Sequence, residues 1–322
     1  AGLPDAAESL IELDGELWAG FWSSVAGSEV RRWDGVNWVD AGAGVTTLTG
    51  FFSSTSRGVL DLAEFNGELY LGGSFNTGYT SPGYMAGRWN GTSWETFGGL
   101  SGYGEDFAAT FEMGVLVPWN DKLLIAGYFP FVAWPSATQY IQNIVAWTGT
   151  DFQRVADDEL GLRGYAYDVA VAPDGIVVAG SFSEAGILDS GPVARWDGAK
   201  WNPYGAVPSD RIEGFINTIE FDGTDLLLGG GITMPDATEA SVARWDGTAW
   251  SRLGDGTESS TQELIWFEGA LVAAMVGEVR VWDGAAWAPL GTGLPAGVGI
   301  FALTVFEGQL HAAGALDSVS YT

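Results

Sequence analysis

Cysteine is absent, and 13 lysines and arginines stand against 41 aspartates and glutamates. Without cysteine there is no disulfide framework, no thiolate zinc site and no cysteine nucleophile. Only Lys122 and Lys200 are lysines, and His311 is the one histidine, which leaves little for a histidine-based catalytic triad. The net charge of −28 repels phosphate backbones and anionic lipid, so nucleic acid is excluded as a partner and anionic membranes are disfavoured. No run of about 20 apolar residues occurs. The stretch around Val115–Trp134 is broken by Pro118, Asn120, Asp121 and Lys122, so no membrane insertion is expected. The opening Ala1-Gly2-Leu3-Pro4 lacks the basic region and apolar core of a signal peptide, as in a mature form or an excerpt of a longer chain.

What is abundant is apolar, aromatic and glycine. Hydrophobic residues make up 47% of 322 residues, enough for a sizeable core. The 48 glycines follow no collagen period, so they read as tight turns. The acidity fits solubility outside the cell or in salt. Its sharper reading is Ca2+ held by loop carboxylates, although no Asp-x-Asp-x-Asp-Gly loop is present. No other cofactor is implied.

One phrase, Trp-Asp-Gly-x-x-Trp, recurs. It is intact at Trp33–Trp38, Trp196–Trp201, Trp245–Trp250 and Trp282–Trp287. Trp89–Trp94 carries Asn90 in place of Asp, and Trp147–Phe152 is a degraded copy. The five copies that keep both tryptophans hold ten of the 16, so most of the tryptophan excess is architectural. Strand-like runs such as Val193–Trp196 precede each phrase, and Asp-Gly tolerates the positive φ of a hairpin turn. With a two-residue turn the two tryptophans lie diagonally on one face; with a four-residue loop they lie opposite. Either way they share a side, which suits packing between neighbouring sheets. A second hairpin alternates with the first: two apolar runs joined by Asn-Gly, Asp-Gly, Glu-Gly or, in the third copy, Asn-Asp, the second run closing on glycines in copies such as Leu62–Gly73. The closing glycines imply close backbone approach.

Two hairpins make four antiparallel strands per repeat, and the phrases recur at spacings of 37 to 58 residues. Four-stranded units at this period fit an all-β fold, a single β-propeller over residues 1–322. The order of an apolar strand, a turn, a strand ending in Gly-Gly and a strand running into Trp resembles kelch repeats and the galactose-oxidase propeller. It is most similar to secreted bacterial propellers built from WDGxxW repeats. That resemblance implies the fold; galactose-oxidase chemistry, which needs histidine ligands and a cysteine-linked tyrosine, does not carry over. The second hairpin occurs seven times and the Trp-Asp-Gly hairpin six. Seven blades are therefore expected, the last incomplete with two strands (Phe301–Leu316), against the alternative of six blades plus an extra hairpin. An open blade would admit a strand from a partner.

The turns within hairpins are uniformly tight, while the links between them are long and variable, and function resides in such loops. Tyr79, Tyr84, Tyr103, Phe131, Trp134, Tyr140 and Tyr165, with the acids Glu105, Asp106 and Asp210, are the candidate binding residues. Exposed rings beside a few carboxylates suit sugar or peptide ligands. No residue is assigned a catalytic role. The expectation is a non-enzymatic extracellular or cell-surface module binding glycan or protein. The alternatives are a carbohydrate-active hydrolase or lyase using loop carboxylates, and a structural subunit completed by partner strands.

Overall fold

The computed structural model describes residues 7–23, 30–41, 57–75, 86–96, 112–129, 132–133, 138–139, 142–156, 161–205, 207–256, 259–291, 299–314 and 316–321. The chain divides into two compact units, Ala1–Gly161 and Leu162–Thr322. Apart from a single turn of 3-10 helix at Pro208–Asp210, the regular structure among the described residues is strand.

The first unit contains three four-stranded antiparallel sheets. Their first strands are Ala7–Leu13, Arg57–Phe65 and Glu112–Trp119. The first two sheets are joined by a short antiparallel pairing, Trp22 opposite Gly58 and Ser23 opposite Arg57. The second unit contains three more, whose first strands are Leu162–Ala172, Glu213–Asp222 and Thr261–Phe267. A three-stranded sheet follows: Ile300–Phe306, Gln309–Gly314 and Leu316–Tyr321. Six sheets are thus complete with four strands, as in the six-blade alternative. The seventh differs from the expected lone hairpin, because Leu316–Tyr321 pairs with Gln309–Gly314 as a third strand.

Each strand order follows the chain, so in every complete sheet both hairpin turns lie at one end and the middle link at the other. In four sheets the first hairpin closes on two residues at positive φ, as at Asn66 and Gly67 (φ 55° and 76°) or Glu268 and Gly269 (51° and 79°). These are the mirror-image turns whose twist matches the strands. The Trp-Asp-Gly hairpin closes differently. Its loop has four residues, and the two aromatic positions are direct cross-strand partners in all six copies. Only the glycine takes positive φ, 94° at Gly35. The aspartate does its work through its side chain: Asp34 Oδ1 accepts the backbone N–H of Val36 at 2.8 Å and of Asn37 at 2.7 Å. Asp197, Asp246 and Asp283 repeat this. Asn90 Oδ1 does the same in its copy, and Thr148 Oγ1 accepts the Asp151 N–H at 3.0 Å in the degraded one. The degraded copy therefore keeps the function of the residue it lost.

The tryptophan pairs sit 5.2–5.6 Å apart, each worth about 1 kcal/mol beyond simple burial. They belong to cores that lie between consecutive sheets of each unit. Trp147 and Phe152 of the third sheet pack with Phe65 and Tyr70 of the second. Trp287 of the sixth packs with Leu227 and Val242 of the fifth, and its Nε1–H donates to Leu253 O at 3.0 Å. His311 is half-buried, its ring edge-on to Phe306, a packed strand residue as expected.

A second tie between sheets has no counterpart in the sequence reading. First strands carry a β-bulge, at Leu60, Tyr167, Asn217, Gln262 and Phe301 among others. The residue after the bulge reaches the next sheet and accepts a backbone N–H there. Asp61 takes Leu116 N–H at 2.7 Å, Asp168 takes Ile219 N–H at 2.7 Å, Thr218 takes Leu264 N–H at 3.2 Å, and Glu263 takes Leu303 N–H at 2.7 Å. Facing these side chains across the ladder are small residues, Gly72, Ala179, Gly229 and Ala274.

Candidate functional site

At the end of each sheet away from the tight turns, the first strand begins. In the second unit this end carries aromatic side chains that packing does not cover: Tyr167 is 40% exposed, Phe215 43% and Phe301 37%. The bulge explains two of them. Ile219 and Leu303 are buried, and strict alternation would bury Phe215 and Phe301 with them. The extra residue in the strand reverses the alternation, so Ile216 and Ile300 turn inward and the two phenylalanines turn outward.

Local chemistry holds these rings in place. Tyr167 stands 5.9 Å from Tyr165, with planes 32° apart, and the Ser181 hydroxyl donates to its phenol oxygen at 3.2 Å. Phe215 lies over Gly231, where a Cβ would come within 2.5 Å of its ring. Gly164 and Gly214, at φ 134° and 103°, precede Tyr165 and Phe215 and let the two strands pass closely enough for this. At the bulges of the fifth and sixth sheets stand polar residues, Asn217 and Gln262. The Asn217 amide donates to Thr261 O at 2.8 Å. Arg163 and Glu184 form an exposed ion pair at 2.7 Å beside the tyrosines.

Of the expected site residues, Tyr165 belongs to this cluster. Asp210 is exposed in the 3-10 turn Pro208–Asp210, on the link into the fifth sheet, where Ser209 Oγ lies 3.4 Å from its carboxylate. Tyr79, Tyr84, Tyr103, Glu105, Asp106, Phe131, Trp134 and Tyr140 lie outside the described residues. Phe215 and Phe301 were not expected at the site. For Phe215 the signal is the glycine just before the aromatic, Glu213-Gly214-Phe215, as in Arg163-Gly164-Tyr165; Phe301 follows Ile300 and carries no such mark.

One acid here has an unusual proton affinity. Loss of water around the Asp168 carboxyl pushes its pKa up to about 7. Such a value marks many catalytic acids. Here both oxygens are already occupied, Oδ1 by the Val169 N–H and Oδ2 by the Ile219 N–H, each at 2.7 Å. Buried, and held by one backbone donor on each oxygen, this carboxyl has the geometry of a structural tie. Among the described residues, no group of three or more His, Cys, Asp or Glu side chains converges as a metal site, and no helix is long and apolar enough to cross a membrane.

No family model matches the chain, and a search of curated proteins finds no match. Solved structures do. The extracellular domain of BT4673 from B. thetaiotaomicron is similar over 98% of this chain, with a TM-score of 0.64 and 11% identity. This chain spans only 38% of that one. The WD40 β-propeller domain of Doa1 matches over 99% of this chain and 93% of its own length, at TM-score 0.57 and 12% identity. The computationally designed Ika8 protein matches over 99% and 97%, at 0.52 and 13%. Likenesses at this level of identity speak for architecture, and together with the six four-stranded antiparallel sheets they identify the fold as a β-propeller.

Proposed function

We propose that the chain, as one propeller over residues 1–322, is a non-enzymatic binding module of the cell exterior that holds a glycan on its aromatic strand ends. The observation that carries this reading is the exposure of Tyr167, Phe215 and Phe301 at equivalent ends of first strands, with Asn217 and Gln262 at the bulges of the fifth and sixth sheets. Aromatic faces cover the apolar C–H faces of sugar rings, and amides satisfy the hydroxyls at their edges. Support comes from the likeness to an extracellular domain and from a surface charge of −28, which suits an extracellular setting. A hydrolase or lyase reading would need two free carboxylates across a cleft, and the acid with the raised pKa is engaged by backbone.

A glycan array probed with the whole chain tests this. Binding to at least one polysaccharide is expected, without cleavage, and Tyr167→Ala and Phe215→Ala each weaken it about tenfold or more. Capture of a protein with no glycan bound, or turnover of the glycan, would replace this reading.

The edge of the seventh sheet favours a second role. Leu316–Tyr321 has one strand neighbour among the described residues, which leaves one side open to a strand from a partner. Native mass spectrometry is expected to show a complex that a proline placed in this strand, at Ser318, abolishes. A strictly monomeric chain at all concentrations would dismiss it.

A further inference from the structure

At the turn end of the second unit, opposite the aromatic strand ends, a cleft of about 230 Å³ lies between the fifth and sixth sheets. The buried Leu227 and Leu271 lie at its base. Two indoles, Trp266 and Trp282, are partly exposed along its sixth-sheet side. Its rim is polar: Asp222, Ser251 and Arg252, all exposed, line the fifth-sheet side.

The walls are fixed before any ligand arrives. Trp266 Nε1–H donates across to Phe221 O of the fifth sheet at 2.8 Å. Trp282 packs against the buried Trp287 at 5.3 Å, and Asp283 Oδ1 clamps the turn beneath it through the N–H groups of Ala285 and Ala286. Preorganisation of this kind lowers the ordering cost of binding.

We infer that this cleft is a second binding site, for a single neutral pyranose ring, set on the face away from the aromatic strand ends. Size argues for one ring, since the volume falls below the roughly 300–1,000 Å³ of pockets for drug-sized ligands. The combination of two partly exposed indoles with a carboxylate, a hydroxyl and a guanidinium at the rim matches the two-sided character of a sugar, C–H groups toward the indoles and hydroxyls toward the rim. Charge argues for a neutral ligand. The remaining rim cation, Arg244, is held by Asp225 through both Nε and Nη2. Asp222 and Arg252 are then left as one charge of each sign, and the −28 of the whole chain repels an anion on approach. Trp266 is the telling residue: in register with it, one position before the pair that closes the turn, the other first strands carry Glu12, Glu64, Pro118, Val171, Phe221 and Val305, and none supplies an indole.

The test is a panel of neutral hexoses, N-acetylhexosamines and uronic acids titrated into the whole chain, read by saturation-transfer NMR and calorimetry. A neutral pyranose is expected to bind, with an affinity indifferent to salt. Trp282→Ala and Arg252→Ala are each expected to weaken it about tenfold or more. Because Trp282→Ala also removes half of a packed tryptophan pair, the exposed Arg252→Ala carries the decision. Binding must survive in Tyr167→Ala, which separates this site from the strand ends. Binding unaffected by Arg252→Ala, a requirement for a carboxylated sugar, or no binding across the panel would overturn the inference.

Discussion

Gly230→Ala is expected to destabilise the second unit by at least about 3 kcal/mol, the upper range for forced overpacking. A Cβ at this position would lie 2.1 Å from Phe215 O and 3.0 Å from Ile216 Cα. Both are backbone atoms of the facing strand, so no rotamer change relieves the clash. The strands would have to separate where the bulge after Ile216 already bends the ladder. Gly180 and Gly314 hold the same relation to Tyr165 O and Gly299 O, at 2.0 Å each, and their alanine variants are expected to behave alike. Gly247→Ala provides the contrast. Gly247 sits in a Trp-Asp-Gly turn at φ 93° with nothing within 4 Å of its would-be Cβ. It bears only the left-handed backbone penalty of about 1–2 kcal/mol. Chemical denaturation of the two variants reads the difference directly. Equal losses would mean that close approach of the strands is not what these glycines provide.

Those glycines were legible as a feature and became specific only in three dimensions. The glycine that closes most second strands announces close approach, and the structure supplies the opposing carbonyl at Gly180, Gly230 and Gly314. The Trp-Asp-Gly hairpins were legible in the same way. Letters fix the strand, turn and tryptophan face, while the choice between a two-residue and a four-residue loop depends on whether Asp34 acts through its φ or its side chain. What stayed hidden depends on contacts between sheets. The position after the bulge reads Asp61, Asp168, Thr218 and Glu263 along the chain. Three different letters fill these four positions, because any side chain that can accept an N–H from the next sheet serves. The bulge itself hid the site. Counting by twos from Ile219 or Leu303 assigns Phe215 and Phe301 to the core, and one inserted residue moves both to the surface. Leu316–Tyr321 was missed because it lacks the Trp-Asp-Gly phrase that marks the third and fourth strands of the other sheets.

Asp168 should give the second unit a stability that falls as pH rises through about 7. Its carboxyl is tied to Val169 and Ile219, which would ordinarily lower its pKa, yet desolvation dominates and raises it from 3.8 to about 7. The sign follows from proton counting. Between the unfolded and folded values the folded chain keeps a proton that the unfolded chain has released, so unfolding gains from every rise in pH. The contribution is fully present below about 4 and gone above about 7, and at about 1.4 kcal/mol per pH unit it is on the order of 3–4 kcal/mol. Glu220, also raised by desolvation, acts in the same direction. The exposed turn aspartates act in a separate window. The N–H of Lys200 holds Asp197 down to about 2 and the Thr248 hydroxyl holds Asp246 there too. Their stabilisation is lost only as pH falls below about 4, so they do not mask the neutral limb. Asp168→Asn isolates the effect. It leaves one backbone N–H without its acceptor, a constant loss of about 1–3 kcal/mol, and it removes the titration. The advantage of the native chain over Asp168→Asn is therefore expected to be about 3 kcal/mol greater at pH 5 than at pH 8. Denaturation of both chains across that range, with Glu220→Gln alongside, measures it. A difference that stays constant with pH would show that Asp168 is ionised throughout and that its two backbone donors outweigh the loss of water.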